Sequence, residues 1–136
     1  MSDIKSYKDL IVWKKAMGLV KQTYDILASF PKEEKYALSD QMRRSAVSIP
    51  SNIAEGHERG TAKEYAHFLA IAKGSLAELM TQFEICKMLG YVENLQGIEN
   101  LVEEINKMIN AILKKLPLTL SPKPSPLKPE KITEEF

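Results

Sequence analysis

The pair of side chains best suited to metal chemistry in this sequence is Glu64 and His67, which two residues separate. On a helix, this E-x-x-H spacing brings a carboxylate and an imidazole to one face. Di-iron bundles need two such units and a glutamate from each of two other helices. The chain has two histidines in all, and the second, His57, lies in the segment 55–60 without the required spacing. We therefore predict no metal site.

A nucleophile and a phosphate-binding loop are also missing from the pattern. The single cysteine, Cys86, continues an apolar helical row, where a buried thiol behaves as a small hydrophobic side chain. Gly56 and Gly60 come without the Lys-Ser/Thr pair of a phosphate-binding loop. Glu64 also has a structural role to fill, because Thr61 and Glu64 have the spacing of a capping box at a helix start. We predict a protein that is not an enzyme, with no catalytic residue and no cofactor.

Polar side chains recur at helical spacing around Pro50, which lies inside a predicted helix. An interior proline removes one N–H donor and favours a kink. Two interpretations remain open. The bent helix presents Arg43, Arg44, Asn52 and Glu55 to a partner, or the polar row is a network between helices that fixes the register of the bundle. This polar register network consists of Gln41, Arg44, Ser48, Asn52 and Glu55.

A row of small residues follows the third predicted helix. Glycine within a helix costs ~0.8–1 kcal/mol relative to alanine, and the close approach of another backbone is the usual compensation. We expect that backbone to belong either to the helix that contains Pro50 or to another subunit. The members of this close-packing or oligomer row are Ala66, Ala70, Gly74, Ala77 and Thr81.

Four helices are needed to position these side chains. Apolar residues recur in steps of three and four, which predicts helices over 8–29, 34–58, 61–89 and 94–115. No segment alternates apolar and polar residues with a period of two, so we predict no sheet. Long helices with short connections stack most simply as an antiparallel up-down-up-down four-helix bundle. We therefore predict an all-α bundle domain over residues 1–116.

Each helix carries an apolar row that we expect to face the core. The fourth helix carries two adjacent rows, and the second row is explained either by a neighbouring subunit or by a wide core face. The predicted rows are Trp13, Met17, Val20, Tyr24 and Leu27; Leu38, Met42, Ala46, Ile49 and Ile53; Tyr65, Phe68, Ala72, Leu76, Leu79, Phe83 and Cys86; and, on the fourth helix, Ile98, Leu101, Ile105, Met108 and Ile112 beside Val102, Ile109, Leu113 and Leu116.

The composition sets the remaining limits. Lys and Arg number 19 against 18 Asp and Glu, a net charge of +1, which argues against a strongly basic surface. One cysteine fits a reducing compartment, and no apolar run is long enough for a signal peptide or a membrane span. We expect a soluble cytoplasmic protein. Five of the seven prolines fall within 117–136, so we expect this proline-rich tail to be extended or disordered.

The sequence resembles the small bacterial proteins encoded in intervening sequences of 23S ribosomal RNA genes. The resemblance rests on Tyr7-x-x-Leu10-x-x-Trp13-x-x-Ala16, on RRSAVSIPSNIAEG over 43–56, on FLAIAKGSLAEL over 68–79 and on Leu89-Gly90-Tyr91. It implies an antiparallel four-helix bundle that forms a ring-like homopentamer without known enzymatic activity. The family is also similar to the accessory bundle protein of diversity-generating retroelements, which is implicated in binding nucleic acid and a reverse transcriptase.

Two functions remain as hypotheses. In the first, the homo-oligomer binds ribosomal or other structured RNA, or a ribonucleoprotein, because several copies of a nearly neutral subunit place basic residues on one rim. In the second, the bundle is a protein-interaction or scaffold module whose partner contacts the polar row or the tail. The candidate nucleic-acid or partner contacts are Lys14, Lys15, Arg43, Arg44, Arg59, Lys114 and Lys115.

Overall fold

The computed structural model describes residues 4–34 and 37–118 and contains four long helices. They are α1 (Ile11–Leu27), α2 (Leu38–Glu58), α3 (Ala62–Met88) and α4 (Gln96–Lys115). Two short 3-10 turns, Tyr7–Asp9 and Lys32–Glu34, precede α1 and α2. No strand occurs in the described residues. The predicted all-α four-helix fold is confirmed. The prediction that the proline-rich tail is extended or disordered mainly concerns residues from 119 onward, which lie outside the described part of the chain.

The helices form a closed square in which each packs against the next, and α4 returns to α1. The start of α2 meets the end of α3, where the Cys86 thiol lies 3.5 Å from the Met42 sulfur. Lys87 near the end of α3 donates a hydrogen bond of 3.1 Å to Glu99 near the start of α4. Hydrogen bonds to Glu99 and Glu84 raise the pKa of Lys87. This order of contacts is consistent with antiparallel neighbours.

Two predicted helix starts are wrong for reasons of local geometry. Leu10 is extended (φ −73°, ψ 128°), so a capped 3-10 turn, and not α1, contains Lys8. The second helix begins at Leu38, four residues later than predicted. The third start is confirmed, since the Thr61 hydroxyl accepts a hydrogen bond of 3.2 Å from the Glu64 N–H. Of the two hydrogen bonds of the predicted capping box, the one from the Glu64 N–H to the Thr61 side chain is confirmed.

The core confirms the predicted rows of α2 and α3. Met42, Ala46, Ile49 and Ile53 are completely buried and face Ala72, Leu76, Leu79, Phe83 and Cys86. Pro50 lies inside α2, as predicted, and its ring is buried. Burial of this apolar surface is the main stabilising term of such a bundle, at ~25 cal/mol per Å².

The predicted core row of α1 is wrong by one residue. The buried side chains are Val12, Ala16, Leu19, Thr23 and Leu27, a row that contains a threonine. The Thr23 hydroxyl donates a hydrogen bond of 2.8 Å to the Leu19 carbonyl, so its burial leaves no unpaired donor. Of the predicted row, Leu27 is buried and Trp13 and Val20 are half-buried against the core, while Met17 and Tyr24 are exposed at the edge of the α1–α2 contact.

Both apolar rows of α4 are used within this chain. Ile98, Val102, Ile105 and Ile109 are buried, and the remaining members of the two rows pack against the same core cluster. The wide core face therefore explains the second row. Among the described residues, α4 has no exposed large apolar side chain that a neighbouring subunit would need to cover.

α2 and α3 approach each other closely at Gly56, which lies inside α2. A Cβ at this position would lie 2.6 Å from the Phe68 Cβ and 3.2 Å from the Tyr65 Cδ1. Gly60, with φ of 87°, is the residue that ends the helix in the left-handed region. Gly74 has nothing within 4 Å of its missing Cβ, so the helix that contains Pro50 does not approach it.

Candidate functional site

The E-x-x-H pair does not form a metal site in the described part of the chain. The Glu64 carboxylate lies 3.8 Å from the Arg59 guanidinium, and the exposed His67 ring meets the Phe68 ring edge-on at 5.2 Å. Within residues 4–34 and 37–118, no group of three His, Cys, Asp or Glu side chains could hold a metal ion. The absence of catalytic activity stays a prediction.

The predicted polar register network divides into a link between helices and several local pairs. The Ser48 and Ser75 hydroxyls are 2.8 Å apart and join α2 to α3. The Asn52 amide donates to the Ser48 hydroxyl at 2.9 Å and to the Ser48 carbonyl at 2.8 Å. These three residues can fix the relative register of the two helices.

The other members of that row lie on the outer side of α2. Gln41 and Arg44 line an open polar cleft of about 210 Å³ between α2 and α3, together with Ser45, Ser48, Ser75 and Glu78. Arg44 forms an ion pair of 2.9 Å with Asp40 one turn earlier. Glu55 forms an ion pair of 2.8 Å with Arg59. Gln41, Arg44 and Glu55 are exposed, so they are available to a partner but do not hold the helices together.

The seven candidate basic contacts do not lie on one rim. Lys14 and Lys15 in the first turns of α1, Arg59 after α2, and Lys114 and Lys115 at the end of α4 share one end of the bundle. Arg43 and Arg44, near the start of α2, lie toward the opposite end, and the Arg43 guanidinium covers the Tyr24 ring at 5.4 Å. The seven residues therefore lie toward both ends of the subunit, because the chain direction of α2 separates Arg43 and Arg44 from Arg59. That some of them form a basic rim of an assembly stays a prediction.

Much of the positive charge is also neutralised within the chain. Lys15 pairs with Glu104 at 2.8 Å, while Arg44 and Arg59 pair with residues of α2. The hydrogen bond to Glu55 raises the pKa of Arg59. Among the described residues, Lys14, Lys114 and Lys115 are exposed and have no ion pair, so they carry the most available positive charge of the seven.

The small-residue row lies on a surface that we call the outer face of α3. Ala66 is half-buried, while Ala70, Gly74, Ala77 and Thr81 are exposed, and none of the five is part of the core. Larger apolar side chains extend this surface, with Ile71 39% exposed and Met88 75% exposed. The outer face of α3 consists of Ala66, Ala70, Ile71, Gly74, Ala77, Thr81 and Met88.

A second apolar surface lies between α1 and α2, and sequence reasoning missed it. It is an open groove of about 310 Å³ that we call the α1–α2 groove. The misplaced row of α1 lines it, so a correct choice of the core row would have revealed this surface. Its residues are Tyr7, Trp13, Met17, Val20, Val47, Pro50, Ser51 and Ala54.

Comparison with known proteins decides the family. The model of the 23S rRNA-intervening sequence protein family matches residues 8–111. The chain belongs to this family. The match includes all of α1, α2 and α3 and most of α4, so the chain has the four-helix fold that the sequence resemblance implied.

A solved structure supports the same assignment. The chain is similar to a crystal structure from Bacteroides thetaiotaomicron, titled as a protein with unknown function from the S23 ribosomal protein family. The TM-score is 0.68 at 25% sequence identity, over 77% of this chain and 100% of the other. The comparison with curated proteins gives no match. Within the described residues, no helix is long and apolar enough to cross a membrane.

Proposed function

We propose that this protein is a non-enzymatic scaffold that assembles into a homo-oligomer through the outer face of α3. The observation that supports the proposal is the run of small uncharged residues on the outward side of this helix. One side contributes Leu69, Ala72, Leu76, Leu79 and Phe83 to the core. The opposite side presents the outer face of α3, in which none of the seven residues is charged, and the exposed Lys63 and Glu84 lie toward its two ends. A contiguous apolar surface with a polar margin is typical of a contact with another protein surface.

The residue types of this face favour another helix as the covering surface. Alanine and glycine let two backbones approach closely, and they lose little or no side-chain entropy when they become buried. Ile71 and Met88 at the margins add apolar area whose burial contributes ~25 cal/mol per Å². A second copy of this chain supplies a surface of matching chemistry. The family resemblance implies a ring-like pentamer, and we expect five copies.

The assembly is tested with one matched pair of substitutions. Ala77→Glu places a carboxylate in the outer face of α3, while Ala111→Glu makes the same change at an exposed position of α4. Light scattering after size exclusion measures the mass of each variant. We expect Ala77→Glu to reduce the mass toward 15.4 kDa and Ala111→Glu to leave the assembly intact. Equal masses for the two variants would exclude the outer face of α3 as the contact.

A second candidate function, binding of structured RNA or a ribonucleoprotein, is favoured by the end of α4. Lys114 and Lys115 are exposed, have no ion pair in the described residues and share one end of the bundle with Lys14. In an assembly these charges repeat once per subunit, so a nearly neutral chain acquires a multivalent basic surface. Such a surface contacts phosphates and carries little sequence information.

Salt dependence tests this second function. We expect binding to a 23S ribosomal RNA fragment to weaken as salt rises. The slope of the logarithm of the binding constant against the logarithm of the salt concentration should become shallower by ~0.9 for each phosphate contact removed. The double variant Lys114→Gln with Lys115→Gln should reduce the slope. The control, Lys21→Gln with Lys107→Gln, removes two exposed charges elsewhere and should change it little. An assembly that binds no RNA would favour a protein-interaction scaffold without nucleic-acid binding.

A further inference from the structure

The α1–α2 groove has the chemistry of a binding surface for an extended apolar segment. Pro50 is buried in it, while Met17 and Val47 at its margins are 45% and 41% exposed. The Tyr7 and Trp13 rings meet edge-on, with centroids 5.4 Å apart. None of the described residues that line the groove is charged.

Grooves lined by aromatic side chains bind proline-rich segments. A polyproline II helix is already extended, and its backbone has no internal hydrogen bonds to break, so it loses little entropy when it binds. The half-buried Trp13 provides the flat apolar surface on which a proline ring packs, and the Tyr7 ring stands beside it at one end of the groove. This chemistry favours an occupant that places proline rings against the groove and directs its charged side chains to solvent.

We propose that the C-terminal segment of this chain, residues 119–136, binds in the α1–α2 groove of the same molecule. Prolines recur in this segment at 122, 124, 126 and 129. In a polyproline II helix, Pro126 and Pro129 are separated by ~9 Å. Along α1, Trp13 and Val20 are separated by ~10 Å. The groove and the Pro-x-x-Pro unit therefore match in length.

The chain path allows this contact. Lys15 of α1 pairs with Glu104 of α4 at 2.8 Å, which places these two residues at one level of the bundle. α4 continues for eleven residues to Lys115, or ~16 Å, toward the end where α1 begins. The described chain therefore stops, at Leu118, at the end of the bundle where α1 and the groove begin. The 18 residues of the segment 119–136 span up to ~55 Å when extended, several times the length of the groove.

Tethering makes a weak contact sufficient. A segment joined to its binding surface by a short linker has an effective concentration in the millimolar range. The groove can therefore be occupied within one molecule although a free peptide of the same sequence binds weakly. This contact is independent of self-association through the outer face of α3.

Trp13 is the only tryptophan of the chain, so its fluorescence reports the groove directly. The test uses the full chain in which Pro122, Pro124, Pro126 and Pro129 are changed to Ala. We expect emission at longer wavelength and stronger quenching by acrylamide than in the unmodified chain. The control, Ser121→Ala with Ser125→Ala, should match the unmodified chain. The core extends from Val12 to Ile109, so neither change affects the folded part.

Two further measurements distinguish the occupants. A synthetic peptide of residues 119–136, added to the proline-to-alanine variant, should restore short-wavelength emission and protection from acrylamide. Emission that is the same with and without the four prolines would overturn the proposal. So would emission that changes with protein concentration and not with the tail sequence, because a second copy would then cover the groove.

Discussion

The contact of α2 with α3 at Gly56 gives the sharpest stability prediction. In Gly56→Ala, the new Cβ would lie 2.6 Å from the Phe68 Cβ, an atom that is fixed to the α3 backbone. A rotamer change cannot relieve this contact, so the two helices must separate locally. The substitution therefore disturbs the packing of the most extensive helix pair in the bundle.

Two opposing terms set the magnitude. Replacing glycine by alanine within a helix stabilises it by up to ~1 kcal/mol. Overpacking in a tight contact costs ~1–3 kcal/mol. The control is Gly18→Ala in α1, where nothing lies within 4 Å of the new Cβ and only the favourable term acts. We expect the two variants to differ by the overpacking term, ~1–3 kcal/mol, with Gly56→Ala the less stable.

Urea unfolding followed by circular dichroism measures this difference directly. The two variants and the unmodified chain are compared at one protein concentration, because self-association would otherwise contribute to the apparent stability. We expect Gly18→Ala to unfold at higher urea than the unmodified chain and Gly56→Ala at lower urea than Gly18→Ala. Equal stabilisation by both substitutions would refute the close approach at Gly56.

Three further predictions concern single contacts. In a double-mutant cycle, Ser48→Ala and Ser75→Ala should show a coupling of ~0.5–1.5 kcal/mol in urea unfolding, and additive effects would mean that their 2.8 Å hydrogen bond contributes nothing. Thr61→Ala should lower stability by ~0.5–2 kcal/mol, because the Glu64 N–H loses its acceptor, while Thr61→Asn should retain most of it; equal losses would contradict the cap. Hydrogen bonds from backbone N–H groups lower the pKa of Asp9 below its ordinary value of 3.8. The Asp9 carboxylate therefore stabilises the folded state at pH values above 3.8, and this stabilisation is lost as the pH falls through the lower pKa of the folded state. The unmodified chain should thus be more stable than Asp9→Asn at neutral pH, with a difference in melting temperature that disappears in acid; a constant difference would contradict this.

The fold could be predicted because each helix repeats one simple pattern. The longest apolar row of α2 contains Met42, Ala46 and Ile49, and these residues are buried in the core. Thr61 marked the start of α3 by a local hydrogen bond that needs no tertiary information. Those signals depend on residues within one or two turns of each other, which is the range over which a sequence pattern is informative.

The core row of α1 could not be predicted from the same kind of pattern. Two rows about 100° apart both recur in steps of three and four. The row with the larger apolar residues, Trp13, Met17 and Val20, lines the groove, while the row with Thr23 lies inside. Periodicity alone cannot choose between adjacent rows on a helix with a wide apolar arc, because the choice depends on where α2 and α4 lie.

Only part of the polar register network could be predicted, because the sequence pattern gives the side of a helix on which a residue lies but not which residues contact the next helix. The row from Gln41 to Glu55 lies on one side of α2, as its spacing indicated, yet only Ser48 and Asn52 take part in the link to α3. The side chains that cross between helices depend on the crossing geometry, and the space at Gly56 that is too small for a Cβ is one part of that geometry. The two ends occupied by the basic residues likewise follow from the topology and not from local sequence.

Sedimentation equilibrium of the unmodified chain over a range of concentrations tests the central proposal most directly. Burial of the outer face of α3 against other copies predicts a mass that is a multiple of 15.4 kDa, five times this value for the expected ring. A single species of 15.4 kDa at every concentration would show that this face stays exposed to solvent and would contradict the proposed assembly.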